Sequence, residues 1–130
     1  MSICQMCQVQ QERPCSYSGR TREFFDVLMP ALRFVARRCG YALAVHGSVK
    51  TDIDLVAVPW RDSAVSAPYI AEEIRLAAER IIGTARIRKE DPNPTKKPGG
   101  RLAWSFYLQP EGCEGPYIDL SVFPLTVDGQ

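Results

Sequence analysis

The stretch AVHGSVKTDIDLVAV, residues 44–58, constrains the fold more than any other part of the chain. Its second half, DIDLVAV, is apolar except at Asp52 and Asp54. Such a run reads as a buried strand, yet buried strands normally shed carboxylates. An unpaired charge in a core costs several kcal/mol or forces a pKa shift. Residues two apart on a strand project from the same face, with Cα atoms about 7 Å apart. Asp52 and Asp54 are therefore expected on one face, with Ile53 and Leu55 on the other.

Two later stretches repeat this alternation. RLAWSFYLQ sets Leu102, Trp104, Phe106 and Leu108 on one side, and YIDLSVFP sets Ile118, Leu120 and Val122 opposite Tyr117, Asp119 and Ser121. The linker PEGCEGP predicts a hairpin between them. YALAVHGS ahead of the acids is a short apolar strand, and TARIRKE is a weaker one. Helices are expected at 21–39, where Phe24, Leu28, Ala31, Leu32 and Val35 recur at helical spacing, and at 66–82, where Ile70, Ile74, Ala77, Ala78 and Ile81 form a stripe. Thr21 and Ser66 are the expected N-caps, Gly40 and Gly83 the stops, and Pro30 is expected to kink or split the first helix. KEDPNPTKKPGG reads as a mobile basic loop. The order α-β-β-α-β-β-β predicts an α/β (α+β) fold, a mixed sheet with helices packed on one face.

With 130 residues and 45% hydrophobic content, the expectation is an irregular leader over 1–20 and a single domain over 21–130. The net charge of +1 gives no global pull towards nucleic acid or an anionic membrane. The chain has no apolar run long enough to span a bilayer and no signal-like stretch at its start, so a cytoplasmic location is expected. Five cysteines include Cys4, Cys7 and Cys15 in the leader. A lone CxxC is read as free thiols in a loose tail, the alternative being a metal site completed from elsewhere.

If the strands bearing Asp54 and Asp119 are neighbours, three carboxylates converge on one patch of sheet. Mutual repulsion then calls for a divalent cation or a basic partner. Hard oxygen donors suit Mg²⁺ or Mn²⁺. Pairing with Lys50, Arg86, Arg88 or Arg101 is the competing reading, and Lys96, Lys97 and Arg101 could equally be solvated loop charges. His46, the single histidine, is expected as a packed or hydrogen-bonded structural residue. No P-loop, HExxH or Ser-His-Asp order is present.

An apolar strand ending in Gly47-Ser48, a strand opening Asp52-Ile53-Asp54 and a later strand with Asp119 resemble the nucleotidyltransferase superfamily of DNA polymerase beta. The likeness covers about residues 21–124. IDLVAVPW, KPGGRLAWSFYL and YIDLSVFP also resemble small phage and bacterial members of that superfamily. The resemblance implies transfer of a nucleoside monophosphate from a nucleoside triphosphate to a small-molecule, RNA or protein hydroxyl. It implies Asp52, Asp54 and Asp119 as catalytic metal ligands, with Asp119 able to serve as base. It also implies phosphate contacts from Gly47, Ser48 and Lys50; Lys97 and Arg101 are further candidates to hold the nucleotide's phosphates. The chain departs from the pattern in one place: Val49, Lys50 and Thr51 alone separate the Gly-Ser pair from Asp52, the length of a hairpin turn. The alternative reading is a degenerate member that binds a nucleotide or partner protein without catalysis.

Overall fold

The structure, a computed structural model, describes residues 16, 17, 19–87 and 94–125. Residues 1–15, with Cys4, Cys7 and Cys15, and Arg88 lie outside the described residues. The elements in chain order are α1 (Thr21–Arg38), β1 (Tyr41–His46), β2 (Ile53–Pro59), α2 (Ala67–Ile82), β3 (Arg86–Ile87), β4 (Thr95–Lys96), a 3₁₀ turn (Pro98–Gly100), β5 (Leu102–Tyr107) and β6 (Tyr117–Val122). The strands form a mixed sheet in the order β1-β2-β6-β5-β3, with β4 also paired to β5. β2 and β6 run parallel, and the other pairs are antiparallel. The predicted α+β architecture is therefore present, including the β5–β6 hairpin.

Alternation builds the core. Ile53, Leu55 and Ala57 of β2, Trp104 and Phe106 of β5, and Ile118, Leu120 and Val122 of β6 turn to one face and are buried. Onto that face α1 lays Phe24, Leu28, Met29, Leu32 and Ala36, while α2 lays Ile70, Ala71, Ile74, Ala77 and Ala78. Complete burial of a side chain such as Leu28 or Ile74 contributes about 1.5–3 kcal/mol. Both helices sit on this side, so the opposite face is left open.

Local chemistry explains the ends and corrects four expectations. Ser66 does cap α2, its Oγ accepting from the Tyr69 N–H at 3.4 Å, and Gly83 closes it at φ 90°. Thr21 is not a cap. It is the first residue of α1, and its buried hydroxyl donates to the Thr51 carbonyl at 3.0 Å, tying the helix start to the β1–β2 loop. Pro30 does not split α1, which runs unbroken from Thr21 to Arg38. Its ring faces solvent, and Met29 and Leu32 anchor the chain on both sides of it, so packing overrides the lost backbone bond. Ile81 leaves the stripe of α2 and is exposed. The basic loop also holds order where it is described: β4 and the 3₁₀ turn lie within it.

Two glycines serve close approaches. Gly40 ends α1 at φ 90°, and a Cβ there would meet the Ala64 Cα and Arg61 Nε at 2.8 Å. At Gly115 a Cβ would lie 2.9 Å from the Tyr17 Cβ. Tyr17 itself is buried edge-on to Phe24, and its backbone N–H donates to the Glu114 carbonyl, so the end of the expected leader is packed on the core. Cys39 is a free buried thiol, whereas Cys113 is disulfide-bonded. Among the described residues no helix is long and apolar enough to cross a membrane.

Candidate functional site

The open face is organised by register. His46 on β1 is the Cα partner of Asp54 on β2. Asp54 is the partner of Asp119 on β6, and Asp119 is the partner of Ser105 on β5. One line across four strands thus reads His46, Asp54, Asp119, Ser105. The next line reads Ala44, Val56, Ser121 and Ala103, ending on Thr95 of β4. Two independent alternations, DIDLVAV and YIDLSV, put the acids on this face, and the parallel β2–β6 pairing sets them side by side.

These lines floor a cavity of about 520 Å³. Asp54, Asp119, Ser105 and Ser121 line it together with His46, Tyr117, Thr95, Lys97 and Arg101. Lys97 and Arg101 are brought there by the short turn through Pro98–Gly100, closed by the Lys97 N–H donating to the Arg101 carbonyl at 2.9 Å. The Arg101 guanidinium reaches the Ser121 hydroxyl at 3.5 Å and packs on the Phe123 ring.

Electrostatics mark Asp119 as the strained centre. Burial pushes its carboxyl above the ordinary range, and the charge of Asp54, within hydrogen-bonding reach, pushes it further. The Ser105 hydroxyl, donating to Asp119 Oδ1 at 2.6 Å, works against this, as does the Lys97 charge. Asp52 is also raised, chiefly by burial and less by Asp119, while the Tyr117 backbone N–H, donating to its Oδ1 at 3.3 Å, opposes the rise.

The expected site residues divide into two groups. Asp54, Asp119, Lys97 and Arg101 come together in the cavity. Asp52 stands one residue ahead of β2 and turns to the Tyr117 N–H, outside the cavity lining. Gly47, Ser48 and Lys50 are exposed on the β1–β2 loop and do not line the cavity either. The loop still passes close by: Gly47, at φ 78°, comes within 3.7 Å of Asp54 Oδ2 if given a Cβ. The loop bends back on itself through the Lys50 N–H donating to the Ser48 carbonyl at 2.8 Å.

Sequence reasoning misplaced His46, which is exposed at the cavity rather than packed. It also passed over Ser105, although the position opposite Trp104 and Phe106 in WSF carried the signal. Thr95 and Ser121 gave no signal that sets them apart from ordinary surface hydroxyls.

Among the described residues no trio of His, Cys, Asp and Glu side chains is gathered as metal ligands. The Asp54–Asp119 pair nevertheless fits a hard cation. Both offer carboxylate oxygens, and their mutual repulsion is the kind that a divalent ion relieves.

Comparison with known proteins gives the fold a counterpart. No family model matches the sequence, and no curated protein does. Among solved structures the chain is similar to the Cid1 poly(U) polymerase with MgGTP bound, in a study of its UTP selectivity. The TM-score is 0.50 and the identity 14%, over 82% of this chain and 33% of that one. This chain thus spans about a third of the polymerase's length. The likeness is one of fold, a mixed sheet with helices packed on one face.

Proposed function

We propose that the open face is the substrate site of a metal-dependent nucleotidyltransferase, one that moves a nucleoside monophosphate from a nucleoside triphosphate to a hydroxyl acceptor. The observation that carries the reading is the side-by-side placement of Asp54 and Asp119 in one cavity with Lys97 and Arg101. An acidic pair and a cationic rim within one cavity suit a ligand that brings both a cation and phosphates. The solved neighbour's bound MgGTP is a ligand of that kind.

Asp54 and Asp119 would hold Mg²⁺ or Mn²⁺, with Asp52 joining once released from the Tyr117 N–H. When bound, the cation would polarise the phosphoryl group and offset charge on the leaving pyrophosphate. Lys97 and Arg101 bind the phosphates, Arg101 with the fork geometry that suits phosphate oxygens. Ser105 holds Asp119 in orientation through its 2.6 Å hydrogen bond. The raised proton affinity of Asp119 suits a group that takes up a proton from an attacking hydroxyl. The acceptor is a hydroxyl, of a small molecule, an RNA or a protein, and the cavity's polar floor suits all three. The likeness to small phage and bacterial members belongs to the same proposal.

A second reading keeps nucleotide binding without turnover. It is favoured by the short loop from Ser48 to Asp52, which leaves Ser48 and Lys50 outside the cavity. One experiment separates the two. The protein is incubated with Mn²⁺ and each α-labelled nucleoside triphosphate in turn, with binding followed calorimetrically and label transfer by electrophoresis. Binding and transfer, both lost in Asp54→Asn and Asp119→Asn, support catalysis. Binding alone supports the degenerate reading, and absence of both in the wild type removes the proposal.

A further inference from the structure

A second, unrelated surface lies at the opposite end of the β1–β2 hairpin. An open groove of about 430 Å³ runs between α1 and the edge strand β1, lined by Arg33, Arg37, Tyr41, Ala42, Leu43 and Trp60. Arg33 and Arg37 are four apart on α1, so both guanidinium groups leave the same helix face. Arg61, next to Trp60 in sequence, lies over that ring, and Arg38, next to Arg37, lines the adjoining pocket with Glu73 and Arg80. Among the described residues no carboxylate forms an ion pair with any of these four arginines. Two other helix arginines are engaged: Arg22 pairs with Asp26, and Arg75 with Glu72 and Glu79. Four unpaired arginines on a chain of net charge +1 are therefore a local concentration, not a reflection of composition.

Aromatic rings are interleaved with the charges. Trp60 is 56% exposed and Phe34 59% exposed, and Trp60 lines the groove beside Arg33 and Arg37. The Arg61 guanidinium lies 5.1 Å from the centre of the Trp60 ring, and Arg38 lies 5.9 Å from that of Phe34. Each ring is thus stacked on one side by a cation and open on the other.

From this we infer that the groove binds single-stranded nucleic acid, the arginines taking phosphates and Trp60 stacking a base. Cations without a carboxylate partner, beside flat and exposed rings, are what such a strand recognises. An acidic peptide would satisfy the arginines alone, since a carboxylate gains nothing from the negative face of a ring. The binding itself stands apart from the nucleotide reading of the cavity. Its role in a reaction rests on that reading: from Asp54 to Trp60 the extended chain runs roughly 20 Å, about six stacked bases at 3.4 Å each. A strand held at Trp60 can therefore bring its end to the carboxylates.

The test uses fluorescently labelled octanucleotides of uridine and of thymidine, titrated into the full chain and followed by anisotropy. Quenching of protein fluorescence is followed in parallel; Trp104 lines the cavity, so quenching kept in Asp54→Asn and lost at saturating oligomer in Trp60→Ala reports on Trp60. Both oligomers should bind, with a salt slope near −2 for about three phosphates. The Arg33→Gln/Arg37→Gln double variant should bind at least about tenfold more weakly, and Trp60→Ala should bind about tenfold more weakly. These side chains are exposed, and unchanged melting curves confirm that the variants fold. Asp54→Asn should retain octanucleotide binding, which keeps a failure at the cavity distinct from a failure here. Equal binding by the double variant overturns the inference, as does binding lost in Asp54→Asn but kept in the double variant. A poly-glutamate peptide that binds where the octanucleotides do not overturns it in favour of an acidic protein partner.

Discussion

The two faces of the sheet are made from the same strands and differ in almost every physical respect. On β6, Ile118, Leu120 and Val122 are buried against the helices, while Tyr117, Asp119 and Ser121 between them look into the open cavity. β5 repeats the division, with Trp104 and Phe106 on one side and Ser105 on the other. The closed face has its demands met internally. On the open face Asp119 sits near a like charge, with a proton affinity raised by its surroundings. A two-residue period thus assigns stability to one side and unrelieved electrostatic tension to the other, which is where a ligand has most to offer.

The sharpest way to break this division is to truncate on the closed side. Phe106 is 1% exposed, and Phe106→Ala should cost about 3–5 kcal/mol, the usual range for a buried phenylalanine. Chemical denaturation should show that loss in the midpoint with little change in slope. Nucleotide affinity, measured under conditions where the variant is still folded, should change little. A large loss of affinity with small loss of stability would mean that the two faces are not separable.

On the open side the same experiment should give the opposite sign. Asp54→Asn removes one of two close charges while preserving shape, so without metal it should be as stable as the wild type or more stable, by about 1 kcal/mol. For a domain of this size that is roughly 3–4 °C in melting temperature. Millimolar Mn²⁺ should raise the melting temperature of the wild type and leave the variant nearly unmoved. Clear destabilisation of the variant in metal-free buffer would make Asp54 a satisfied structural partner.

Much of this layout was legible because alternation is local. Each strand declares its own two faces, so the convergence of Asp54 with Asp119 needed only the assumption that β2 and β6 are neighbours. What was not legible depends on contacts between distant segments. Thr21 looks like a cap until the Thr51 carbonyl is seen to take its hydroxyl. Asp52 looks equivalent to Asp54 until the Tyr117 N–H claims it. Tyr17 has no periodic partners of its own and is buried because Gly115 leaves room for it. Lys97 and Arg101 were visible as charges, but a fold of the chain through Pro98–Gly100 was needed to aim them at the acids.

Acidity gives a finer comparison. The Asp119 carboxyl binds its proton more tightly in the folded protein than in the unfolded chain, because burial and Asp54 disfavour its charge. Its contribution to stability is then fully present below the ordinary aspartate value of about 3.9 and is lost as pH rises through the raised one. Metal-free stability, followed by denaturant midpoints from pH 4 upwards, should carry this declining component. Asp119→Asn should remove it; persistence in the variant would assign the decline to other groups.

The smallest effect lies on the outer surface of α2 and should run the other way. Arg75 Nε donates to Glu72 at 2.9 Å, and its Nη1 also donates to the Ala85 carbonyl at 2.9 Å, tying the helix to the segment before β3. The hydrogen bond and charge of Arg75 hold the Glu72 carboxyl below its usual range, against a smaller opposing effect of burial. Stability from this pair is therefore present above the ordinary glutamate value of about 4.3 and lost as pH falls through the lowered one. Glu72 is 47% exposed at its side chain, and solvent screening limits the pair to about 0.3–0.5 kcal/mol. Glu72→Gln should cost that amount at pH 7 and almost nothing at pH 2, whereas Asp119→Asn should gain stability at pH 7. Opposite signs at neutral pH for two acid-to-amide changes, read from the same denaturation curves, are what the division between a satisfied side and a strained one requires. A loss at Asp119 comparable with that at Glu72 would place both acids in the same class and remove the case for a ligand at the open face.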